Sequence, residues 1–249
     1  MKPVTSNDRS PRLRAIVFDM DGVIIDSHPA HRKAWREFLQ SLGRQVADSD
    51  LDYILDGRKR ADILSHFLGP LSTEQIIEYG KCKDLFFRES SSAIEPIPGA
   101  VQFVKHVAAE GIRMAVATSA SEDRTSCTLE HLQLKRYFAT VVTGRDVTAG
   151  KPKPDIYLAA CKLLKVDPLE TVAFEDAVSG VVAAKSAGLR CVGVLSHETS
   201  DKLTAAGADF TISDFNGLSL SLLELGLAES LAYHQVAAFS SEDNLEIDR

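Results

Sequence analysis

The sequence is short of clustered cysteines, long apolar runs and excess positive charge, and each shortage argues against a class of protein. Its four cysteines, Cys82, Cys127, Cys161 and Cys191, are far apart and form no C-x-x-C pair, unlike the thiolate clusters of zinc and redox sites. No apolar run approaches the length of a membrane span, and Met1–Arg14 lacks the apolar stretch of a signal peptide. The net charge of -7 argues against nucleic acid or an anionic membrane as a partner, since both reward a basic surface.

What remains is the profile of a soluble globular protein, with 45% hydrophobic and 25% charged residues. A chain of 249 residues can form one ordinary domain and a smaller one. We therefore expect a cytoplasmic protein, monomeric, with neither nucleic acid nor membrane as a partner.

Short apolar runs alternate with helical patterns along most of the chain. The run Leu13–Phe18 predicts a fully buried strand that ends at two aspartates and a glycine. Four similar runs and four amphipathic segments follow: Met114–Ala117, Val141–Thr143, Val172–Phe174 and Cys191–Leu195 as strands, and Ala100–Ala109, Glu122–Leu132, Pro154–Leu164 and Ser179–Ala187 as helices. The alternation predicts an α/β fold, a parallel Rossmann-like sheet with helices on both faces.

One region breaks this alternation. From about Pro29 to Glu95 the sequence shows only helical patterns, namely Ala30–Leu42, Ala61–Phe67 and Thr73–Ser90. The proline-containing stretch from Ile94 to Gly99 predicts the return to the main domain. We therefore predict an α/β core over residues 11–28 and 96–227, a small helical cap over 29–95 inserted after the first strand, and an acidic tail over 228–249.

The first strand ends in two carboxylates, Asp19 and Asp21. In an open parallel sheet, ligands bind beyond the carboxyl ends of the strands, and residues two apart on extended chain project to the same side. Two adjacent carboxylates repel unless a cation compensates, and Mg²⁺ prefers oxygen ligands and phosphates. Asp19 is the candidate nucleophile and Asp21 the candidate general acid and base. The alternative for D-x-D-G alone is an Asx-turn.

Three further strand ends carry polar groups. The hydroxyls and backbone amides of Thr118, Ser119 and Ala120 suit an anion, although a plain helix N-cap is the alternative. Lys151 is held in a stiff Pro-rich turn, which suits a point charge near phosphate, although a proline-rich helix start is the alternative. The pair Glu175 and Asp176 suits metal ligation, although acids at a helix N-terminus that interact favourably with the helix dipole are the alternative. Four such ends in succession favour one phosphate and metal site.

These motifs, in this order, resemble those of the haloacid dehalogenase superfamily of phosphatases and mutases: Asp19-Met20-Asp21-Gly22-Val23, Thr118-Ser119, Lys151 and Glu175-Asp176. The resemblance covers roughly Leu13 to Leu225, and the helical block is similar to the cap of the β-phosphoglucomutase-like branch. It implies that Asp19, the backbone carbonyl of Asp21 and Asp176 bind Mg²⁺, with Glu175 close by or also ligating. It also implies that Thr118 and Lys151 hold the transferring phosphate.

Candidate substrate contacts lie in the cap. His31 and Trp35 occupy positions where the mutases of this branch carry a hinge histidine and a tryptophan, although Trp35 also suits simple packing. The run from Gly57 to Arg60 resembles the loop whose arginine grips the non-transferring phosphate of the substrate. Arg60 is the better match, Arg58 the second, and Lys83 a further contact; a solvated basic face is the alternative.

Two departures from the mutases favour a phosphatase. Asp56 replaces their lysine and Glu122 replaces their asparagine, so both add negative charge where an anionic ligand is expected. We expect a Mg²⁺-dependent phosphatase of small metabolites, in particular hexose phosphates, acting through an aspartyl-phosphate. The alternatives are a β-phosphoglucomutase-type mutase and a phosphorylatable binding module without turnover. Dehalogenation fits poorly, because that branch lacks an acid at the position of Asp21.

Overall fold

The computed structural model describes residues 12–90 and 94–224, and a six-stranded parallel sheet lies at its centre. In chain order the strands β1 to β6 are Ala15–Phe18, Arg113–Thr118, Thr140–Thr143, Thr171–Glu175, Arg190–Val194 and Phe210–Ile212. Their spatial order is β3-β2-β1-β4-β5-β6, so the winding direction reverses at β1. Phe18 lies beside Val116 of β2 and Phe174 of β4, so these three strands end at one edge. The predicted α/β fold is confirmed.

Helices cover both faces of this sheet. The helices α1 to α9 are His28–Ser41, Asp48–Leu55, Arg60–Leu68, Thr73–Ser90, Ala100–Ala109, Glu122–His131, Asp155–Leu164, Val178–Ser186 and Ser200–Ala205. Phe103 of α5 and Leu129 of α6 pack on one face, while Tyr157 of α7, Val181 of α8 and Leu203 of α9 pack on the other. None of the helices in the described part of the chain combines the length and the apolar character that a membrane span requires.

The two faces differ in side-chain size because successive residues of a strand point in opposite directions. Ile16 and Phe18 of β1 point into the α5 and α6 layer, whereas Ala15 and Val17 point into the α7 to α9 layer. Phe18 and Phe174 stack with ring centroids 5.2 Å apart, so the sheet next to the site is rigidly packed. Truncating one such buried phenylalanine to alanine costs about 3–5 kcal/mol of stability.

The chain leaves the sheet after β1 and forms α1 to α4 before it returns at α5. These helices share their own apolar cluster, which includes Trp35, Phe38, Leu51 and Leu64. The two segments that connect this insertion to the sheet are hydrogen-bonded to each other. The backbone N–H of Asp26 donates to the carbonyl of Glu95 at 2.8 Å, and that of Ile97 donates to the carbonyl of Ile24 at 3.0 Å.

The structure corrects three details of the sequence analysis. The short edge strand β6, whose residues are half-buried, was not predicted. Neither were the short helices α2 and α9, which have eight and six residues. The domain boundaries at residues 29 and 95 stay predictions, and the predicted tail over 228–249 lies outside the described residues.

Candidate active site

Lys151 lies at the junction of three strand ends. Its ammonium donates to Asp19 Oδ1 at 2.8 Å, to Glu175 Oε1, and to the carbonyl of Ala117 at 3.4 Å, the residue before Thr118. Asp19 directly follows β1, and Glu175 is the last residue of β4. The four predicted strand-end groups are therefore brought to one edge of the sheet, and most of them are buried.

Three carboxylates lie close together at this lysine, and two of them contact it. Asp19, Glu175 and Asp176 each present an oxygen within 4.8 Å of the others, and all three are buried. Burial raises the pKa of Asp19 well above its ordinary value, and the opposing charge of Lys151 does not offset this. Burial raises the pKa of Glu175 in the same way, although Lys151 and the hydroxyl of Tyr157 both donate to it. These three side chains form a buried set of oxygen donors alone, which could hold a hard divalent cation.

Asp21 is held by a different cation. Arg124 of α6 binds it through both guanidinium nitrogens, with Nη1 2.8 Å from Oδ1. The hydroxyl of Ser27 donates to the same Oδ1 at 2.5 Å, and His31 Nε2 lies 3.5 Å from it. Burial alone would raise the pKa of Asp21, but Arg124 outweighs it and holds that pKa well below its usual range. In this arrangement Asp21 is ionised.

Asp176 carries three donors on a single oxygen. His28 Nε2 lies 2.5 Å from Oδ2, the hydroxyl of Ser196 lies 2.7 Å away, and His197 Nδ1 lies 3.1 Å away. Burial would raise the pKa of Asp176, but His28 and His197 hold it well below its ordinary value. Gly22 makes room for this cluster, because its φ is +72° and a Cβ there would lie 1.9 Å from Oδ2.

The segment Thr118–Ser121 divides its roles between a ligand and the fold. The hydroxyl of Ser121 accepts the backbone N–H of Arg124 at 3.4 Å, so Ser121 is the N-cap of α6. Thr118 is buried, and its Oγ1 accepts the N–H of Ala120 at 3.1 Å. The N-cap alternative considered for this segment therefore falls on Ser121, which leaves Thr118 available for a ligand.

The loop over residues 56–60 fastens the inserted helices to the sheet. The hydroxyl of Ser119 donates to the carbonyl of Gly57 at 2.6 Å. Asp56 Oδ1 accepts the backbone N–H of Ser179 at 2.8 Å. Lys59 reaches across to the carbonyls of residues 147 and 148, at 2.8 and 3.0 Å. These contacts hold the helical insertion closed over the strand ends.

A cavity of about 90 Å³ lies between the strand ends and the inserted helices. Residues from both sides line it, among them Asp21, His28, His31, Trp35, Arg58, Arg60, Lys83, Ser119, Ala120 and Arg124. The predicted substrate contacts Arg60, His31 and Lys83 are thus brought to the same space as Ser119 and Ala120. Trp35 lines this cavity and also packs in the apolar cluster of the insertion.

The cations of this lining differ in their partners. Arg60 donates to Asp84 at 2.7 Å, and Arg58 lies 3.1 Å from Asp56. Lys83 has His31 Nδ1 at 3.1 Å, and it has no ion-pair partner in the described part of the chain. Burial, together with the charges of Arg124 and Arg60, lowers the pKa of Lys83 to about 7. Burial, together with Lys83, lowers the pKa of His31 to about 3.

The two acids that depart from the mutase pattern do not lie where an anionic ligand is expected. Glu122 is exposed in the first turn of α6. Asp56 accepts the backbone N–H of Ser179 and pairs with Arg58. Neither side chain lines the cavity. The charge argument against a mutase therefore loses force.

The sequence analysis missed six groups of this site. All of them contact the predicted acids: Ser27, His28, Arg124, Tyr157, Ser196 and His197. A signal existed for two of them, because Ser196 and His197 follow β5 and so belong to a fifth strand end. For Arg124 no signal existed, since an arginine inside the first turns of a helix is usually solvated.

The parallel sheet, its strand-end acids and the buried lysine are typical of phosphate-handling enzymes with a Rossmann-like core. Residues 13–188 match the family model of the haloacid dehalogenase-like hydrolases, and the chain belongs to that family. The resemblance recognised in the sequence is confirmed.

Two relatives are similar in sequence to most of the chain. The phosphorylated carbohydrates phosphatase of Thermotoga maritima is 34% identical over 200 residues, which are 79% of this chain and 92% of that protein. The fructose-1-phosphate phosphatase of Escherichia coli is 35% identical over 196 residues, which are 74% and 97% of the two chains. The solved structure of a β-phosphoglucomutase from Clostridium difficile matches with a TM-score of 0.79 at 24% identity, over 88% and 99% of the chains, and this likeness shows the fold.

Proposed function

We propose that this protein is a Mg²⁺-dependent phosphatase that hydrolyses small phosphate monoesters, in particular hexose phosphates, through an aspartyl-phosphate on Asp19. The observation that carries the proposal is the buried contact of Asp19 with Lys151 at 2.8 Å, beside Glu175 and Asp176. Two relatives named as phosphatases of phosphorylated carbohydrates and of fructose 1-phosphate support the substrate class.

The metal would be held by Asp19, Asp176 and the backbone carbonyl of Asp21, with Glu175 beside them. The buried oxygen donors fit Mg²⁺, which favours oxygen ligands. When bound, Mg²⁺ offsets the negative charge of the phosphate and of the carboxylates around it.

In the first step, an oxygen of Asp19 attacks phosphorus, and the bond from phosphorus to the ester oxygen breaks. Lys151 and the hydroxyl of Thr118 offset charge on the transferring phosphoryl group. Asp21 gives a proton to the leaving alkoxide. Because Arg124 holds Asp21 ionised, Asp21 has to leave this guanidinium before it can carry that proton.

In the second step, water attacks the aspartyl-phosphate, and Asp21 takes its proton. The attack releases inorganic phosphate and regenerates Asp19. The insertion, fastened to the core through the 56–60 loop, excludes bulk water during both steps.

The test measures free phosphate from a panel of hexose phosphates with and without Mg²⁺. We expect release that requires Mg²⁺ and is lost in Asp19→Asn, while Asp123→Asn, an exposed acid of α6, keeps it. An active Asp19→Asn protein would refute the proposal. Stable phosphorylation of Asp19 without steady release would instead indicate a binding module.

A second candidate is a sugar phosphomutase, and Lys83 favours it. Lys83 is buried, lines the cavity and has no carboxylate partner among the described residues, which suits a second anionic group on the substrate. A coupled assay with β-glucose 1-phosphate and a bisphosphate primer separates the candidates. Isomer without free phosphate indicates the mutase, and free phosphate without isomer indicates the phosphatase.

A further inference from the structure

A second group of metal-ligating atoms shares Asp176 with the set formed by Asp19, Glu175 and Asp176. His28 Nε2, His197 Nδ1 and an Asp176 oxygen lie within 4.8 Å of one another. The group joins two separate parts of the chain, because His28 is the first residue of α1 and His197 follows β5. Both histidine side chains are buried, with 7% and 8% of their surfaces exposed.

The two rings converge as ligands of one ion would. Their centroids are 4.2 Å apart, and both near nitrogens address the same Oδ2, at 2.5 and 3.1 Å. In a tetrahedral site with bonds of about 2.0–2.2 Å, neighbouring ligand atoms lie roughly 3.3 Å apart. A shift of His28 by less than about 1 Å would therefore admit an ion between these three atoms.

The far nitrogens of the two rings, His28 Nδ1 and His197 Nε2, are buried and have no hydrogen-bond partner in the described part of the chain. A metal-ligating histidine usually directs this nitrogen to a carboxylate or carbonyl. Glu198 Oε1 lies 3.9 Å from His197 Nε2, which is beyond hydrogen-bond distance. The hydroxyl of Ser196, 2.7 Å from Asp176 Oδ2, adds an oxygen beside the group.

The donor set selects a kind of ion. Two imidazole nitrogens and one carboxylate suit Zn²⁺, Co²⁺ and similar transition ions, whereas Mg²⁺ prefers oxygen donors alone. The neighbouring set of Asp19, Glu175 and Asp176 offers oxygen alone. The two sets have Asp176 in common, so they differ in the ion they favour and compete for one carboxylate.

We propose that His28, His197 and Asp176 form a second cation site, selective for transition metals such as Zn²⁺ and distinct from the carboxylate site. Its occupation withdraws Asp176 from the carboxylate site, so a transition ion inhibits by competing with Mg²⁺. The inhibition rests on the proposed function, whereas the binding does not.

The test titrates the full chain with Co²⁺ in the absence of substrate and follows its visible absorption and its heat of binding. The two exposed cysteines, Cys82 and Cys127, are changed to serine in every sample to remove competing thiolates. We expect one Co²⁺ per chain. His28→Asn and His197→Asn each weaken binding at least about tenfold, whereas the exposed His106→Asn leaves it unchanged.

Asp19→Asn separates the two sites, because Asp19 belongs to the carboxylate site alone. Retained Co²⁺ binding in Asp19→Asn supports the histidine site, even if the protein has no phosphatase activity. Loss of binding in Asp19→Asn, unchanged binding in the histidine variants, or no binding by the parent protein would overturn it. Circular dichroism identifies a variant that fails to fold, and the other histidine variant then decides.

Discussion

The cleft has two walls, one formed by the strand ends (the sheet wall) and one by the inserted helices (the cap wall). Their charged side chains have different kinds of partner. On the sheet side, charged groups contact one another across the chain, as Lys151 does with Asp19 and Glu175. On the cap side, arginines pair with acids of the same insertion, as Arg60 does with Asp84. The sheet wall is therefore assembled before a ligand arrives, whereas most cap cations have to exchange a protein partner for one. Lys83 is the exception.

The largest expected effect is on the sheet wall, from Lys151→Met. Asp19 and Glu175 would stay buried without their shared cation, and removing one partner of a buried pair costs about 3–5 kcal/mol. We expect phosphate release to fall at least about 10³-fold, because charge on the transferring group is no longer offset. Urea denaturation and the phosphate assay measure the two effects.

The control for this variant is Lys153→Met, two residues on and exposed. It should leave stability and rate within about twofold of the parent protein, as surface substitutions usually do. Equal losses in both variants would mean that the loop, and not the buried ammonium, matters.

A smaller effect is expected on the cap wall, from Lys83→Met. Losing a buried charge that contacts a substrate anion should raise KM about tenfold with little change in kcat. The pKa of Lys83 lies at about 7, so the parent protein's KM should rise above pH 7 as the ammonium deprotonates. This rise should be absent in Lys83→Met.

Lys81→Met, an exposed lysine of the same helix, is the matched control. Its KM should follow the parent protein at every pH. A parent KM that is flat from pH 6 to 9 would contradict a role for Lys83 in binding.

Lys83 should also make the free energy of unfolding depend on pH. Its pKa is lowered from 10.5 to about 7 in the folded protein, so between these values the unfolded chain binds more protons. Stability therefore rises with pH in this window, by roughly 1 kcal/mol per pH unit relative to Lys83→Met. Urea denaturation of both proteins at pH 7, 8 and 9 measures the difference, and a constant difference would be inconsistent with the lowered pKa.

The smallest effect is expected from Arg60→Ala. Its pair with Asp84 is about 30% exposed on each side, and such pairs contribute about 0–1 kcal/mol. Since Arg60 must leave Asp84 to reach a ligand, we expect KM to rise only about twofold to threefold. The same assay on Asp84→Ala and on the double variant gives the coupling, and a rise above tenfold would place Arg60 in direct substrate contact.

The sequence predicted the sheet wall well because its signals are local. The strand ends at Asp19, Thr118 and Glu175 were each visible as an apolar run followed by polar groups, and parallel pairing brings such ends together. The same rule, extended to β5, would have found His197. The edge strand β6 was missed because it has only three half-buried residues, and the alternation of Phe210, Thr211 and Ile212 is too short to indicate a strand.

The cap wall was predicted less well, for a physical reason. Which cations of a helical insertion are free depends on tertiary pairing, and Arg60, Arg58 and Lys83 look alike in sequence. Arg124 was missed for the same reason, because only the fold brings it to Asp21. Charge at a position indicates what a side chain can bind, and packing decides what it does bind.

The paired connections between insertion and sheet set how the cleft can open. Ile24 with Ile97, and Asp26 with Glu95, form a short two-stranded ribbon closed by two backbone hydrogen bonds. A ribbon of this kind resists sliding and lengthening, so the motion that keeps both bonds is a swing about the ribbon. Such a swing would have to break the hydrogen bonds that tie the 56–60 loop to Ser119 and Ser179, so these two contacts would determine how readily the cleft opens.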